Sequence, residues 1–271
     1  MLRTRVITAL VLLAIFLLCL FYLPAPYWAG VLLLFLLAGA AEWANIGAFS
    51  RPWKIAYIVA TLALGGILFA LPPGALPSTP IFAVSLAFWL VVAPLWLKLQ
   101  WRVRNRAVLA VVGWVLLLPT AMALAELRAV SPVLLLGVMG VVWVSDIAAY
   151  FSGRAFGRHK LAPAISPGKT WEGVFGALVA VVLYGWIWKA AGGQLSESVS
   201  LGWGTLALWL LAYFGILGDL FESWMKRQAG MKDSGRLLPG HGGVLDRVDA
   251  LTSTLPLAAL ALILWKTLVQ P

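Results

Sequence analysis

Between Ser223 and Asp249 the chain reads SWMKRQAGMKDSGRLLPGHGGVLDRVD, with five Lys or Arg, three Asp, one His and five Gly, in a protein of which only 11% is charged. Charges this dense beside apolar stretches are costly to hold together unless they bind something. Asp219, Glu222 and Ser223 stand at i, i+3 and i+4, so on a helix they share one face, which Lys226 continues one turn later. Asp246 and Asp249 repeat the i, i+3 relation. Carboxylate pairs on neighbouring helix ends are oxygen donors suited to a hard divalent cation. The same spacing also permits Asp219 or Glu222 simply to pair with Lys226 or Arg227 and neutralise a helix end. Asp219, Asp246 and Asp249 are therefore candidate metal ligands. His241 lies in Pro239-Gly-His-Gly-Gly243, where glycines let the main chain approach a ligand or take positive φ. In that setting it is a candidate to touch substrate, whereas His159 reads as an ordinary polar loop residue.

A second polar cluster runs from Ser145-Asp146 through Gly153-Arg154 and Gly157-Arg158 to Ser166-Pro-Gly-Lys-Thr170 and Glu172-Gly173. Gly168-Lys169-Thr170 imitates the end of a phosphate-binding P-loop, but Pro163 stands where that motif needs glycine, and no strand is expected ahead of it. The local logic remains: Ser166 and Thr170 are candidate N-caps of a helix whose free N–H groups attract anions, and Lys169 adds a point charge. Arg158 and Lys160 read as topology charges. No Ser-His-Asp or Cys-His set is present, and Cys19 is the only cysteine, which excludes intrachain disulfides and Cys-based metal sites. Carboxylates, cations and glycine loops suit phosphoryl or nucleotidyl transfer, where positioning and charge neutralisation supply most of the catalysis. An attacking phosphate monoester, with a second pKa of about 6, is already anionic at neutral pH and needs no strong base. The task is then to bring two polyanions together, which a metal and Arg/Lys accomplish.

The elements that position these groups are membrane spans. With 62% hydrophobic residues and a mean hydropathy of +0.96, the chain is not a soluble domain. A span needs about 20 apolar residues to cross about 30 Å of hydrocarbon. The sequence predicts an all-α polytopic membrane protein of about nine spans, near 6–23, 28–49, 55–71, 81–97, 107–125, 133–152, 172–191, 203–224 and 253–269. An N-terminal part (1–130, spans one to five) would serve as a lipid-facing scaffold, and the remainder (131–271, spans six to nine) would carry catalytic loops at 153–171 and 225–250. With a cytoplasmic N-terminus, 17 of the 20 Lys and Arg fall inside, leaving Arg128, Lys189 and Lys266 outside with the C-terminus. The net charge of +10 is thus a matter of topology rather than nucleic-acid binding. Arg3 and Arg5 before an apolar run imitate a signal peptide, but Leu23-Pro-Ala-Pro-Tyr27 offers no cleavage site, so the run is kept as the first span. Trp28, Trp43, Trp53, Trp101 and Trp203, near span ends, fit interfacial belts. Eight of the ten acidic residues converge on the inner side; Glu126 and Glu197 are left in outer loops.

Ser223-x-x-Lys226-Arg227-x4-Lys232-Asp233, then Leu238-Pro-Gly-His-Gly-Gly243-x-x-Asp246-Arg247-x-Asp249, resembles the signature of the phosphatidate cytidylyltransferase (CDP-diacylglycerol synthase) family. The segments around Ser145-Asp146, Gly153-Arg154 and Ser166–Gly173 are similar to that family as well, so the likeness is strong over roughly 145–250 and general in character before that. The resemblance implies that CTP and phosphatidate give CDP-diacylglycerol and pyrophosphate with Mg²⁺; a second metal ion and a homodimer stay open. It implies catalytic roles for Asp219, Lys226, Arg227, Lys232, Asp233, His241, Asp246, Arg247 and Asp249. It implies substrate contacts from Asp146, Ser166, Lys169, Thr170, Glu172, Ser223, Gly240, Gly242 and Gly243, the glycine loop closing over the nucleotide. The site would face the cytoplasm from the bacterial inner membrane, with acyl chains left in the bilayer. A related CTP-dependent enzyme, such as a polyprenol kinase or a synthase using another lipid phosphate, is the alternative. An ion-coupled transporter is a more distant one, since the outer halves of the spans carry almost no charge.

Overall fold

The computed structural model describes residues 2–71, 78–192 and 200–269. Glu197 and most of the proline-rich turn after the third span lie outside them. In chain order the elements are α1 (Leu2–Tyr22), α2 (Ala25–Ile46), α3 (Arg51–Ala70), α4 (Ser78–Ala87), a π-helical turn (Phe88–Val92), α5 (Ala93–Leu99), α6 (Arg106–Val130), α7 (Pro132–Phe156), β1 (Lys160–Ala162), β2 (Ser166–Thr170), α8 (Trp171–Ala190), α9 (Leu201–Gln228) and α10 (Leu245–Val269). Among the described residues, eight helical rods are long and apolar enough to cross a membrane, α4, the π turn and α5 counting as one rod, Ser78–Leu99. α1 contributes a shorter apolar stretch, Val6–Tyr22, within a helix of 21 residues, or about 31 Å at 1.5 Å per residue. The protein is an all-α polytopic membrane protein with one small addition, the antiparallel β1–β2 hairpin.

Several local expectations change. The last helix begins at Leu245, eight residues ahead of the apolar run at 253–269, so Asp246 and Asp249 sit in its first turns. Glu126 lies inside α6, because nothing breaks that helix before Ser131-Pro132, where the Ser131 side chain caps α7. A strand does precede α8: Ser166 is part of β2, and Thr170 alone is the N-cap, accepting from Gly173 N at 3.2 Å. Trp28 and Trp43 are core residues, 4% and 1% exposed. Their position near span ends mimics a belt, but Trp43 Nε1 donates to Leu109 O at 2.7 Å deep between α2 and α6. Arg128, read as a topology charge, donates to the carbonyls of Cys19, Leu20 and Leu23 and lies 4.8 Å from the Trp28 ring centroid. It thereby satisfies the orphan carbonyls at the end of α1.

Two contacts set the position of α10, which carries the polar N-terminal turn. Pro256 has no N–H, so the carbonyl of Thr252 loses its helical partner. Trp89 Nε1 replaces it at 3.2 Å, with Thr120 Oγ1 at 3.4 Å. Trp89 reaches that carbonyl from the π turn, a widening that also makes room for Pro94 in the same rod. Beside it, Phe88, Trp89 and Trp96 pack edge-on against Phe221 of α9, with centroids 5.4 to 5.6 Å away. The second contact is the approach of α9 to α10 at Gly218, where a Cβ would stand 2.6 Å from both Asp249 O and Ser253 Oγ. Small residues at such a crossing let backbones meet, and Ser253 Oγ donates across it to Phe214 O at 2.6 Å.

Alanine scanning of two helical glycines should therefore give opposite results. Gly218→Ala should destabilise by about 1–3 kcal/mol through overpacking. Gly66→Ala in α3, where an added Cβ meets nothing within 4 Å, should be neutral or stabilising by up to about 1 kcal/mol. Thermal unfolding in detergent reads both; equal midpoints would contradict the close packing.

Candidate active site

Four elements bring the two polar clusters together. The end of α9 supplies Asp219, Glu222, Ser223 and Lys226; the start of α10 supplies Asp246, Arg247 and Asp249; α7 supplies Asp146; and the β1–β2 hairpin supplies Lys169. Asp219 accepts from Ser223 Oγ at 3.2 Å, as the i, i+4 spacing predicts, and its other oxygen lies 2.7 Å from Lys169 Nζ. Lys226 is buried, with its ammonium 2.5 Å from Asp246 Oδ1 and 3.1 Å from Glu222 Oε1. Asp246 Oδ2 accepts from Ser234 N and Gly243 N, each at 2.9 Å, and lies 3.0 Å from Ser234 Oγ. Such a cation–carboxylate set tolerates burial because nearly every oxygen has a partner.

Between these elements lies a cavity of about 580 Å³. Carboxylates of Asp146, Asp219, Asp233, Asp246 and Asp249 share its walls with Arg154, Lys169, Lys226 and Arg247, while Leu161, Val174 and Ile216 supply an apolar side. A second cavity of about 530 Å³ is built from the α9–α10 loop, with Lys232, Arg236, His241 and Arg247 on its walls. Asp233 and Arg247 line both cavities, so the two adjoin. The loop turns through Leu238-Pro239-Gly240-His241, with His241 N donating to Leu238 O at 2.9 Å. Proline second and glycine third, the latter at φ +77°, is the pattern of a type II turn. Gly242, at φ +79°, then brings its carbonyl back to Leu238 N at 2.9 Å. His241 Nδ1 is buried and, among the described residues, has no hydrogen-bond partner, which leaves it available to a ligand.

Of the residues singled out from the sequence, Asp146, Ser166, Lys169, Thr170, Asp219, Lys226, Asp233, Asp246, Arg247 and Asp249 line the helix-end cavity. Lys232, His241, Gly240 and Gly242 line the loop cavity. Four stand apart from both. Glu172 lies 2.7 Å from His159 Nδ1 and accepts from His159 N at 3.2 Å, closing the chain ahead of the hairpin. Arg227 is exposed and donates to Met231 O at 3.3 Å. Ser223 acts through Asp219, and Gly243 is buried behind the loop. Arg154 and Arg236 join the walls without having been singled out for the site; both had been read only as inner-side charges or signature neighbours. Glu42, one of the inner-side carboxylates but not a site candidate from the sequence, accepts from Ser234 Oγ, Val244 N and Leu245 N, each at 2.9 Å, and so holds the loop to α2. Its one sequence signal is a lone carboxylate inside a span.

The donor chemistry fits a hard divalent cation in part. Among the described residues no three His, Cys, Asp or Glu side chains already form a cage. Mg²⁺ does not require one, since it commonly takes one or two carboxylates and completes its shell with water and substrate phosphates. Asp219 and Asp249, which line the same cavity on the two helices that meet at Gly218, suit that role. Asp246 is less available, because one oxygen holds buried Lys226 and the other accepts backbone hydrogen bonds, whereas the partners of Asp219 are the partly exposed Lys169 and the Ser223 hydroxyl.

The chain matches the model of the cytidylyltransferase family over residues 3–265. It is 41% identical to the phosphatidate cytidylyltransferase of Pseudomonas aeruginosa, over 98% of this chain and 97% of that protein. Identity is also 41% to the protein of that name from Brucella suis, over 93% and 90% of the two chains. For the one from Haemophilus influenzae it is 33%, over 94% and 96%. The chain belongs to the cytidylyltransferase family. Coverage from the first helix to the last means that the likeness extends well beyond the polar signature, to the scaffold that positions it.

The two aspartates should separate in stability. Asp246→Asn leaves buried Lys226 without its nearest partner and turns an NH₂ toward existing donors, at a cost of about 3 kcal/mol. Asp219→Asn, with a side chain 29% exposed on the cavity wall, should cost less than about 1 kcal/mol. Unfolding midpoints of the purified variants decide this, and the reverse order would remove Asp246 from its anchoring role.

Proposed function

We propose that this protein is an integral inner-membrane enzyme of a bacterium that condenses CTP with phosphatidate to give CDP-diacylglycerol and pyrophosphate at the cytoplasmic face. The observation that carries the reading is the pair of adjoining cavities, walled by carboxylates and cations and joined at Asp233 and Arg247. Two polyanionic substrates need two such spaces with one common wall. The loop cavity takes the nucleotide, with Lys232, Arg236 and Arg247 toward the triphosphate and His241 Nδ1 free for a ligand hydrogen bond. The helix-end cavity takes the lipid phosphate, against Lys169, Arg154 and Arg247. Val174 and Ile216 form its apolar side, and Tyr150 on its wall is exposed beside exposed Ile147 and Phe151 of α7, which supports a lateral path that leaves the acyl chains in the bilayer. The excess of Lys and Arg at this end of the helices supports a site on the cytoplasmic side, where CTP is available.

A phosphatidate oxygen attacks the α-phosphorus of CTP; that O–P bond forms as the bond to the bridging oxygen breaks, and pyrophosphate leaves with the electron pair. The attacking oxygen is already anionic, so no side chain has to remove a proton. Lys169, Arg154 and Arg247 offset the repulsion between the two anions and hold the attack in line. Asp219 and Asp249 would hold Mg²⁺, which would supply charge neutralisation on the phosphates. Lys169, now 2.7 Å from Asp219, is the cation placed to turn toward an entering phosphate.

Purified protein given CTP, phosphatidate and Mg²⁺ should form CDP-diacylglycerol, and chelation should abolish the reaction. Asp219→Asn should lower kcat by at least about 100-fold, the scale of losing electrostatic stabilisation in the transition state. Formation of a phosphorylated alcohol with CDP, instead of a CDP-lipid, would replace this reading with a lipid kinase. Chiral α-thio-CTP should react with inversion; retention would indicate a covalent enzyme intermediate and remove direct attack.

A further inference from the structure

Glu42 is the one acidic residue of the first five spans that reaches the polar end of α10. It lies on α2, is 6% exposed, and among the described residues has no Lys, Arg or His within ion-pair distance. A buried carboxylate without a cation is tolerated only when hydrogen bonds stand in for water. Here they come from the loop: Oε1 accepts from Val244 N at 2.9 Å, and Oε2 accepts from Leu245 N and Ser234 Oγ, each at 2.9 Å. Val244 and Leu245 are the entry to α10, whose first N–H groups have no helical partner and favour an anion. With Asp246 Oδ2 on Gly243 N, carboxylates occupy the three successive N–H groups of 243, 244 and 245.

The same carboxylate therefore grips both ends of the loop that forms the nucleotide cavity, Ser234 on the way in and Val244–Leu245 on the way out. Ser234 Oγ also lies 3.0 Å from Asp246 Oδ2, so it links Glu42 to the carboxylate that neutralises Lys226. The fit leaves no slack, since a Cβ on Gly235 would stand 2.6 Å from Glu42 Oε1, and one on Gly243 would overlap Ser234 Oγ. Glu42 itself lines neither cavity; it lies behind Gly235, which is part of the loop cavity's wall.

We infer that Glu42 is a positioning residue for the nucleotide side of the transfer: it holds the Ser234–Gly243 loop closed against α2, so that Arg236 and His241, which line the loop cavity alone, face the nucleotide. The inference rests on the proposed cytidylyl transfer and goes beyond it. Acting through the loop alone, Glu42 affects how well the nucleotide is held and leaves the lipid side intact.

The test compares full-length wild type with Glu42→Gln and Ser234→Ala in mixed micelles containing phosphatidate, at a temperature where all three are folded. Glutamine keeps the shape but turns an NH₂ toward a backbone N–H. Both variants should raise KM for CTP by about tenfold or more while KM for phosphatidate stays within about twofold, and the double variant should be little worse than the poorer single one. Hydrogen exchange should accelerate at amides 234–249 and stay unchanged in α7 and α8. An unchanged KM for CTP in either variant would overturn the inference. So would equal increases in both KM values, or faster exchange throughout the chain, which marks ordinary loss of stability. Should Glu42→Gln fail to accumulate, Ser234→Ala carries the same expectation. A wild type that makes no CDP-lipid defeats the proposed reaction instead, whereas an active wild type with unaffected variants defeats only the role of Glu42.

Discussion

A buried ammonium sits at the junction of the two longest polar segments of this protein. Lys226 lies between Asp246 and Glu222, at 2.5 and 3.1 Å, with little exposure to solvent. Burying such a group unpaired costs several kcal/mol, so the surrounding chain is committed to supplying partners. Asp246 can serve only if α10 starts at Leu245, and α10 can start there only if its leading N–H groups are satisfied. Glu42 and Asp246 itself satisfy them. One desolvated cation thus ties α9, α10, the intervening loop and α2 into a single arrangement, and the cavities are what remains between them.

Close backbone contact provides the second constraint. Because lipid offers no strong drive for helices to associate, the spans meet where small residues and inter-helix hydrogen bonds allow it. The crossing at Gly218 sets Asp219 beside Asp249. Trp89 reaches the Thr252 carbonyl that Pro256 leaves open, which settles where α10 sits along α9 and the π turn. The stiffness of these crossings lets the loop between α9 and α10 remain glycine-rich. Gly240 and Gly242 use positive φ to form a tight turn at the cavity wall.

Much of the site was legible because its signals are local. The i, i+3, i+4 spacing of Asp219, Glu222 and Ser223 placed them on one face, and Ser223 does hydrogen-bond Asp219. The plain alternative for Glu222, a pair with Lys226, is also present. Pro239-Gly240 announced a turn by its own backbone preferences. What escaped was non-local. Glu42 stood in the sequence as a lone carboxylate in the second span, but its partners lie at Ser234, Val244 and Leu245, and no pattern connects positions so far apart. The hairpin at 160–170 was hidden because its strands are short and polar, and Ser166 and Thr170 favour a helix cap as readily as a strand end. Lys169 could be read as a charge beside an anion site, but not as the partner of Asp219 on a different span.

Taken alone, the sequence determined that this chain crosses a membrane many times, which end of the spans carries its charge, and which residues of 145–173 and 219–249 share local faces and turns. These follow from composition and from the 3.6-residue period, quantities that depend on neighbours along the chain. Tertiary structure decided which of those residues oppose one another. It set Lys169 against Asp219, committed Lys226 and Asp246 to each other, sent Glu172 and Arg227 away from the cavities, and brought Glu42 under the loop. The reason is physical: a charge in a low-dielectric setting is governed by whatever lies within a few ångströms, and helix crossings, not sequence distance, decide what that is.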